Sequence, residues 1–448
     1  MWVEELSLEN IKCFDKISLK LGSKTEPYKW VTLLGENGGG KSTMLQALGL
    51  LLAGPEGAQQ LLRPTGWLRK EDQYGRISTK IHKGAADPGK FGAQKTRTSF
   101  GYSFLLTGSK NLFIRKKLYT EPTIVENRDK ILTWLRQNAL TSNGKGWFGA
   151  GYGSFRRLTR STRTIVPSIA SQERFNNFTS QFVEDEALAA FEQWMVFLDY
   201  RIAKGENGSA AHARKQRDLG INAINQILPH GVKFDSVTDD ARILFDIKGL
   251  KVSTLNLSDG YRSILALVGD LIWRLLDQFP ESQDPLKEEG VVIIDELDIH
   301  LHPIWQRDIP GLLRAQFPNL QFIVATHSPL IAAGAGVDAV TYRVVFNKGI
   351  SELREVKDIA YYNVDRILQS DAFSLVSPFS PQVEQELGRY YQLKRKKKRT
   401  NAEEQELQTT MQFVENSIGY NTGEVSPTEK RLDDFLKKHW DDSSSANK

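Results

Sequence analysis

The chain has 448 residues, a net charge of +5 and a single cysteine, Cys13. That length can bury two or three compact units, and 40% apolar with 25% charged residues is the make-up of an ordinary folded protein, not a disordered or membrane-embedded one. One cysteine excludes an intrachain disulfide and fits a reducing compartment, and no run of about 18 apolar residues offers a membrane span. Glu4 and Glu5 stand where a secretory signal needs a basic and then an apolar segment, so a cytoplasmic location is expected.

Residues 2–21 alternate apolar and polar side chains, which predicts strands. An apolar run, 30–34, then leads into Gly35-Glu36-Asn37-Gly38-Gly39-Gly40-Lys41-Ser42, and a helical pattern follows over 44–52. This is GxxxxGK[ST] in its strand-loop-helix context. Glycines admit backbone N–H groups to phosphate oxygens, Lys41 reaches the β- and γ-phosphates, and the Ser42 hydroxyl ligates Mg²⁺. The glycines and prolines of 54–66 predict a loop.

No acid occurs between Asp87 and Glu121, where Lys90, Lys95, Arg97, Lys110, Arg115, Lys116 and Lys117 all lie. Residues 130–172 also lack acids and carry Arg156, Arg157, Arg160 and Arg163. Phe91, Phe100, Tyr102, Trp147, Phe148, Tyr152 and Phe155 are interleaved. The pattern suits either a DNA contact through 91–163, with cations on phosphates and aromatics on bases, or a solvated basic face. Within it, 144–149 matches GxGxxG without a leading strand or a following helix, and reads as a flexible glycine loop.

Residues 183–202 and 210–228 are helical by period, and 231–257 returns to short alternating runs, a small antiparallel group. Leu257-Ser258-Asp259-Gly260-Tyr261-Arg262 opens a long helix, either as a plain cap or as a second phosphate-binding terminus. The run 291–294 reads as a strand buried on both faces that ends in Asp295-Glu296. A helix opened by Pro303 and a second buried run, 322–325, follow, ending in Thr326-His327-Ser328. In a parallel sheet both polar ends meet at one edge, so the acid pair and the histidine share a site. His300 and His302 are too few to hold a metal. Beyond 353 the pattern turns helical: a short helix at 364–373, a polar helix opened by Ser380-Pro381, and a last one at 426–440. Six bases, 394–399, precede Glu403, Glu404 and Glu406 and read as a solvated or flexible segment.

GENGGGKST, LSDGYRS, VVIIDELDIHLHP and ATHSP, in this order, resemble the ABC-type ATPases of the RecF, SMC and OLD group, and bacterial ATPases of anti-phage systems of the Septu- or retron-associated type. The resemblance covers residues 1–347. It implies an α/β fold: a P-loop ABC-type ATPase head with a mixed sheet, a helical lobe bearing the signature, and a helical C-terminal extension. It implies that Gly35, Asn37, Gly38, Gly40, Lys41, Ser42 and Thr43 form the Walker A loop around ATP, and that Ser42 and Asp295 hold Mg²⁺. Glu296 falls at the catalytic carboxylate and His327 at the switch position. Ser258 and Gly260 of the signature would touch the partner head's γ-phosphate, so a homodimer or higher homo-oligomer is implied. Asp259 replaces a common signature glycine and His302 the usual D-loop aspartate; the Q-loop glutamine is not assigned. Gly151-Tyr152-Gly153 with Arg156 resembles a Tyr-Gly…Arg element of some relatives.

Ser42 and Ser258 lie 216 positions apart, which fits a globular lobe and is far too short for SMC arms. The segments expected are 1–120 with Walker A, a basic helical lobe at 121–230, the signature-to-switch part at 231–357, and a helical extension with a polar tail at 358–448. The function expected is an ATPase that dimerises head-to-tail around ATP and gates a DNA-linked process, with a separate protein effector (a nuclease or toxin) in anti-phage defence. A RecF-like repair ATPase and a transporter energy subunit are the alternatives, and no membrane contact is expected.

Overall fold

The computed structural model describes residues 1–91, 98–127, 129–142, 144–154, 173–183, 190–205, 209–229, 231–238, 242–375, 379–396 and 398–418. The chain divides into two units, Met1–Ser374 and Leu375–Lys448.

The first unit begins with β1 (Trp2–Ile11), β2 (Phe14–Lys20), β3 (Trp30–Gly35), α1 (Lys41–Leu61), β4 (Gly75–His82) and β5 (Ser99–Leu106). It continues with β6 (Leu112–Ile114), β7 (Lys117–Tyr119), β8 (Ile124–Glu126), α2 (Lys130–Asn138) and β9 (Phe148–Tyr152). Next come α3 (Ala190–Lys204), α4 (Ser209–Ile227), β10 (Val232–Val237), β11 (Ile243–Ile247), β12 (Leu250–Ser253) and α5 (Asp259–Gln278). Last are β13 (Gly290–Ile294), α6 (Pro303–Gln316), β14 (Leu320–Ala325), α7 (Pro329–Gly334), β15 (Val340–Asn347), β16 (Ile350–Val356) and α8 (Val364–Gln369).

The central sheet has the order β16-β15-β3-β14-β13-β9, parallel from β15 through β9 with β16 antiparallel at one edge. Its inner strands are buried on both faces, as their unbroken Val/Ile runs require. Alternation divides them between two cores. Val292, Ile294, Phe322 and Val324 join the helical core of α3 to α6. Val291, Ile293, Ile323 and Ala325 join α1 and the antiparallel sheet β2-β1-β4-β5-β8. The segment 231–257 forms the sheet β10-β11-β12, as its alternation predicts. This is the α/β P-loop architecture, a mixed sheet with a helical lobe.

Several expectations need correction. Residues 54–61 are helical, because α1 resumes past a kink at Gly54 (φ 83°) with Pro55 in its next turn, where the missing N–H costs little. Among the described residues no strand leads into the glycine segment 144–149, as expected, but it is pinned instead of free and its last two residues open β9. Gln278 Nε2 donates to the Gly144 and Gly146 carbonyls (2.7 and 2.8 Å), and Lys145 pairs with Asp277 at 3.0 Å. The helix expected over 183–202 is described from Ala190 to Lys204, and residues 184–189 lie outside the described residues.

The aromatic half of the DNA expectation also fails among the described residues. Phe100, Tyr102, Trp147, Phe148 and Tyr152 lie on core-facing positions and are buried, and Phe91 packs edge-on against Phe100 and Trp134. The five buried rings cannot stack on a base. Phe155, Lys95, Arg97, Arg156, Arg157, Arg160 and Arg163 lie outside the described residues, as does the helix expected at 426–440.

In the second unit α9 (Pro381–Arg395) packs on α10 (Asn401–Ile418). Ser380 caps α9 by accepting from the Val383 N–H at 3.4 Å. The opposite charge blocks pair with each other: Lys396–Glu403, Arg399–Glu404 and Arg389–Glu406, each at 2.6 Å.

Candidate nucleotide site at the sheet edge

β3 ends at Gly35, and the loop that follows turns into α1 through Gly40, whose φ of 102° only glycine adopts readily. A Cβ there would lie 2.5 Å from both Cys13 Sγ and Phe14 Cζ. As the N-cap of α1, Gly40 offers no side-chain acceptor, and the first turn holds no acid, so the N-terminal N–H groups face outward with their partial positive charge. Lys41 folds over the loop, donating to the Gly35 and Glu36 carbonyls at 2.8 and 3.1 Å. Burial lowers its pKa, opposed by Asp295, Glu296 and Asp298. Ser42 is exposed to the cleft, whereas Thr43 is buried beneath it.

Parallel strands bring the second half of the site to the same edge. Asp295 follows β13, held where its N–H donates to the Tyr152 carbonyl at 2.9 Å. Glu296 adopts a left-handed φ of 49°, a conformation that costs a non-glycine residue about 1–2 kcal/mol and tends to persist at functional positions. Asp298 Oδ1 accepts from Thr326 Oγ1 at 2.5 Å and from the His327 N–H at 3.3 Å, tying the turn after β13 to the end of β14. The His327 Nε2 atom is buried without a hydrogen-bonding partner among the described residues. Burial first, and then Lys41, push the imidazole below its ordinary pKa, so it is neutral at pH 7.

Lys12, Cys13, Asn37, Gly38, Gly40, Lys41, Ser42, Thr43, Glu296 and His327 line one cavity of about 240 Å³. The sequence pointed to eight of these; Lys12 and Cys13 come from the β1–β2 turn, which no motif marks. A further unforeseen residue is Ser351, fully buried on β16. Its hydroxyl donates to the Gly39 carbonyl at 2.8 Å, the Cys13 thiol reaches the same oxygen at 3.5 Å, and the Ser351 N–H donates to the Cys13 carbonyl at 2.9 Å. Fixing that carbonyl away from the cavity turns the Gly40 N–H of the same peptide toward it.

Ser258 and Gly260 do not line this cavity. Ser258 stands exposed at the N-cap of α5 without capping it by its side chain. Gly260 abuts the turn after β13 so closely that a Cβ would sit 2.5 Å from the His300 carbonyl. His302 caps α6, its Nδ1 accepting from the Ile304 N–H at 3.4 Å. No cluster of three or more metal-ligating side chains occurs among the described residues. Behind the site, Asp270 of α5 is fully buried and accepts from Tyr152 Oη (2.8 Å) and Arg274 Nε (2.5 Å). Tyr152, read in the sequence as part of a Tyr-Gly…Arg element, thus bolts β9 to the helix that starts at Ser258.

Residues 31–333, more than half of the chain, match the AAA_21 family, described as "AAA domain, putative AbiEii toxin, Type IV TA system". The chain belongs to that family. It is 26% identical over 405 residues to the Septu protein PtuA of Bacillus mycoides (strain KBAB4), an alignment covering 88% of this chain and 47% of that protein. It is also similar to the "Retron Vc95 probable ATPase" of Vibrio cholerae, 48% identical over 83 residues (18% of this chain, 16% of that one). The "Retron Ec83 probable ATPase" of Escherichia coli is 46% identical over 89 residues, covering 20% of this chain and 16% of that one. The chain therefore spans less than half the length of the curated relatives it matches. Among solved structures, an SMC head bound to the C-winged helix domain of ScpA aligns over 81% of this chain and 100% of that one, with a TM-score of 0.49 and 14% identity. The AAA_21 chain and its Septu and retron relatives bear out the anti-phage ATPase group to which the four motifs pointed.

Proposed function

We propose that this AAA_21 protein binds ATP in the cavity of about 240 Å³ and hydrolyses it as the driving step of an anti-phage defence system. The observation that carries the reading is the meeting, in that one cavity, of the Walker A loop with Glu296 and His327 from the far end of the chain. The site fits its ligands by its own chemistry: outward N–H groups and Lys41 for phosphates, Ser42 and Asp295 as hard oxygen donors for Mg²⁺, and a buried, unpartnered His327 nitrogen. Mg²⁺, when bound, neutralises charge on the transferred phosphate.

The chain's own groups supply the rest. Lys41 leaves the Gly35 and Glu36 carbonyls for the β- and γ-phosphates. Glu296 orients the attacking water and takes its proton. Neutral His327 donates a hydrogen bond at the γ-phosphate or to that water. Ser258, exposed at the start of α5, and the buried Gly260 two residues on are both absent from this cavity and complete the site of a second copy docked head-to-tail. The helical signature lobe, bolted through Asp270 to Tyr152, carries the closure outward to a separate effector protein, a nuclease or toxin, in a DNA-linked response. Among the described residues no helix is long and apolar enough to cross a membrane.

Glu296→Gln tests the assignment. It retains ATP binding and slows hydrolysis by about 10² to 10⁴, the usual scale for a positioned acid-base group. Turnover near that of wild type removes Glu296 from the chemistry.

A further inference from the structure

Hairpin β6–β7 presents a surface that the ATP chemistry does not use. Leu112 pairs with Tyr119, Phe113 with Leu118 and Ile114 with Lys117. Period-two alternation gives the ribbon two faces. Ile114 is buried and Leu112 and Tyr119 half-buried against the body, whereas Phe113 and Leu118 are 76% and 43% exposed on the other face. Arg115 donates to Asn127 Oδ1, which anchors the ribbon beside β8.

The turn is the informative part. Arg115 and Lys116 are its two central residues, with φ of 50° and 68°. A two-residue hairpin turn with both φ positive is the type that Asn-Gly satisfies without strain, and long cationic side chains there lower stability. Two cations thus occupy the tip where a neutral pair would fold better. Lys110 and Lys117 flank them, all four are exposed, and among the described residues none forms an ion pair. Glu126, among the described residues the only carboxylate lining the groove behind the ribbon, is paired with Arg136 at 3.3 Å. Arg115 is held by the neutral Asn127 and the Lys117 ammonium lies 5.1 Å from the Tyr119 ring, so among the described residues no carboxylate neutralises the charge of the ribbon.

We propose that the β6–β7 hairpin is the element that contacts duplex DNA, with Lys110, Arg115 and Lys116 on phosphates and the Phe113–Leu118 pair against the groove wall. This rests on the DNA-linked reading above and names its surface. Duplex DNA fits because a two-stranded ribbon enters a major groove of about 12 Å, and the groove offers phosphates at its rims and thymine methyls on its wall. Base stacking by the buried aromatics of β5 and β9 is not needed, since among the described residues of 91–163 the most exposed ring is that of Phe113.

The test is fluorescence-anisotropy titration of the full chain with a mixed-sequence duplex at several salt concentrations, comparing wild type with the double variant Arg115→Asn/Lys116→Gly. The proposal expects a thermal midpoint equal to or above that of wild type, unchanged ATP affinity, and weaker DNA binding with the log–log salt slope shallower by about 2, one per lost phosphate contact. Phe113→Ser/Leu118→Ser should weaken binding while keeping the slope. A wild-type protein that binds duplex, with a double variant that binds it equally well, overturns the hairpin and leaves the DNA-linked reading standing. A wild-type protein that binds ATP but no duplex overturns both. One that ignores duplex but binds polyglutamate through this ribbon assigns the surface to an acidic protein and overturns the proposal.

Discussion

Removal of the Ser351 hydroxyl tests whether the Walker A loop is held ready from outside its own motif. Ser351 is fully buried, and its bond to the Gly39 carbonyl, at 2.8 Å, is matched only by the Cys13 thiol at 3.5 Å. Ser351→Ala loses a hydrogen bond of about 1 kcal/mol net and leaves an acceptor served by a weak thiol donor, about 1–2 kcal/mol in all. Placed on the phosphate-ready arrangement of the loop, that energy lowers the competent fraction and raises the apparent ATP Kd by about 5- to 30-fold. Equilibrium titration with a fluorescent ATP analogue reads the change, with thermal unfolding as the control for fold. Ser351→Thr keeps the hydroxyl and should restore most of the affinity. A folded Ser351→Ala protein that binds ATP within twofold of wild type refutes the clamp.

Ser258→Arg and Lys41→Ala should each abolish hydrolysis, and a mixture should recover part of it, because one composite site then pairs an intact loop with an intact signature; mixtures no better than the separate variants, with exchange verified, rule out shared sites. Arg274→Leu strands the fully buried Asp270 carboxylate and should cost about 3–5 kcal/mol in denaturant unfolding, with Asp270→Leu/Arg274→Met recovering much of it. An unfolding midpoint unmoved by Arg274→Leu contradicts this. His327 has a folded-state pKa depressed below 6.5, so it takes up a proton only under more acid conditions than a free imidazole does. Its contribution to stability is present above pH 6.5 and is lost as pH falls toward the depressed value. ATP turnover should therefore hold steady through pH 6.5 and show an acid limb below it, which His327→Asn moves or removes; an identical profile in that variant separates the limb from His327.

Much of the site was legible because its chemistry is written in short segments with obligatory residue types. GENGGGKST between an apolar run and a helix admits few readings, since phosphate approach needs glycines and a cation at fixed offsets. The unbroken run of β13 with Asp295-Glu296 after it, and β14 with His327, could be placed at one edge because parallel strands end on the same side. The Asn-to-Lys turn that supplies Lys12, by contrast, carries no pattern, and its role depends on where β1 and β2 meet the loop.

The same limit explains the failures. Phe100, Trp147 and Tyr152 look alike in the sequence whether they face a core or a nucleic acid; strand register and the helices above it decide, and they decided for the core. Residues 54–61 were misread because Gly and Pro mark a kink as strongly as a loop, and packing resolves which. The charge blocks after 394 became mutual ion pairs only once α9 lay against α10. Sequence by itself determined the nucleotide class, the strand–loop–helix unit and the edge that gathers the reactive side chains, because local covalent order dictates these. Tertiary structure alone decided that Ser351, 312 positions from Gly39, holds the loop, and that Asp270 bolts Tyr152 to α5. Those contacts join segments far apart in the chain, and a hydrogen bond between them leaves no trace in the spacing of either.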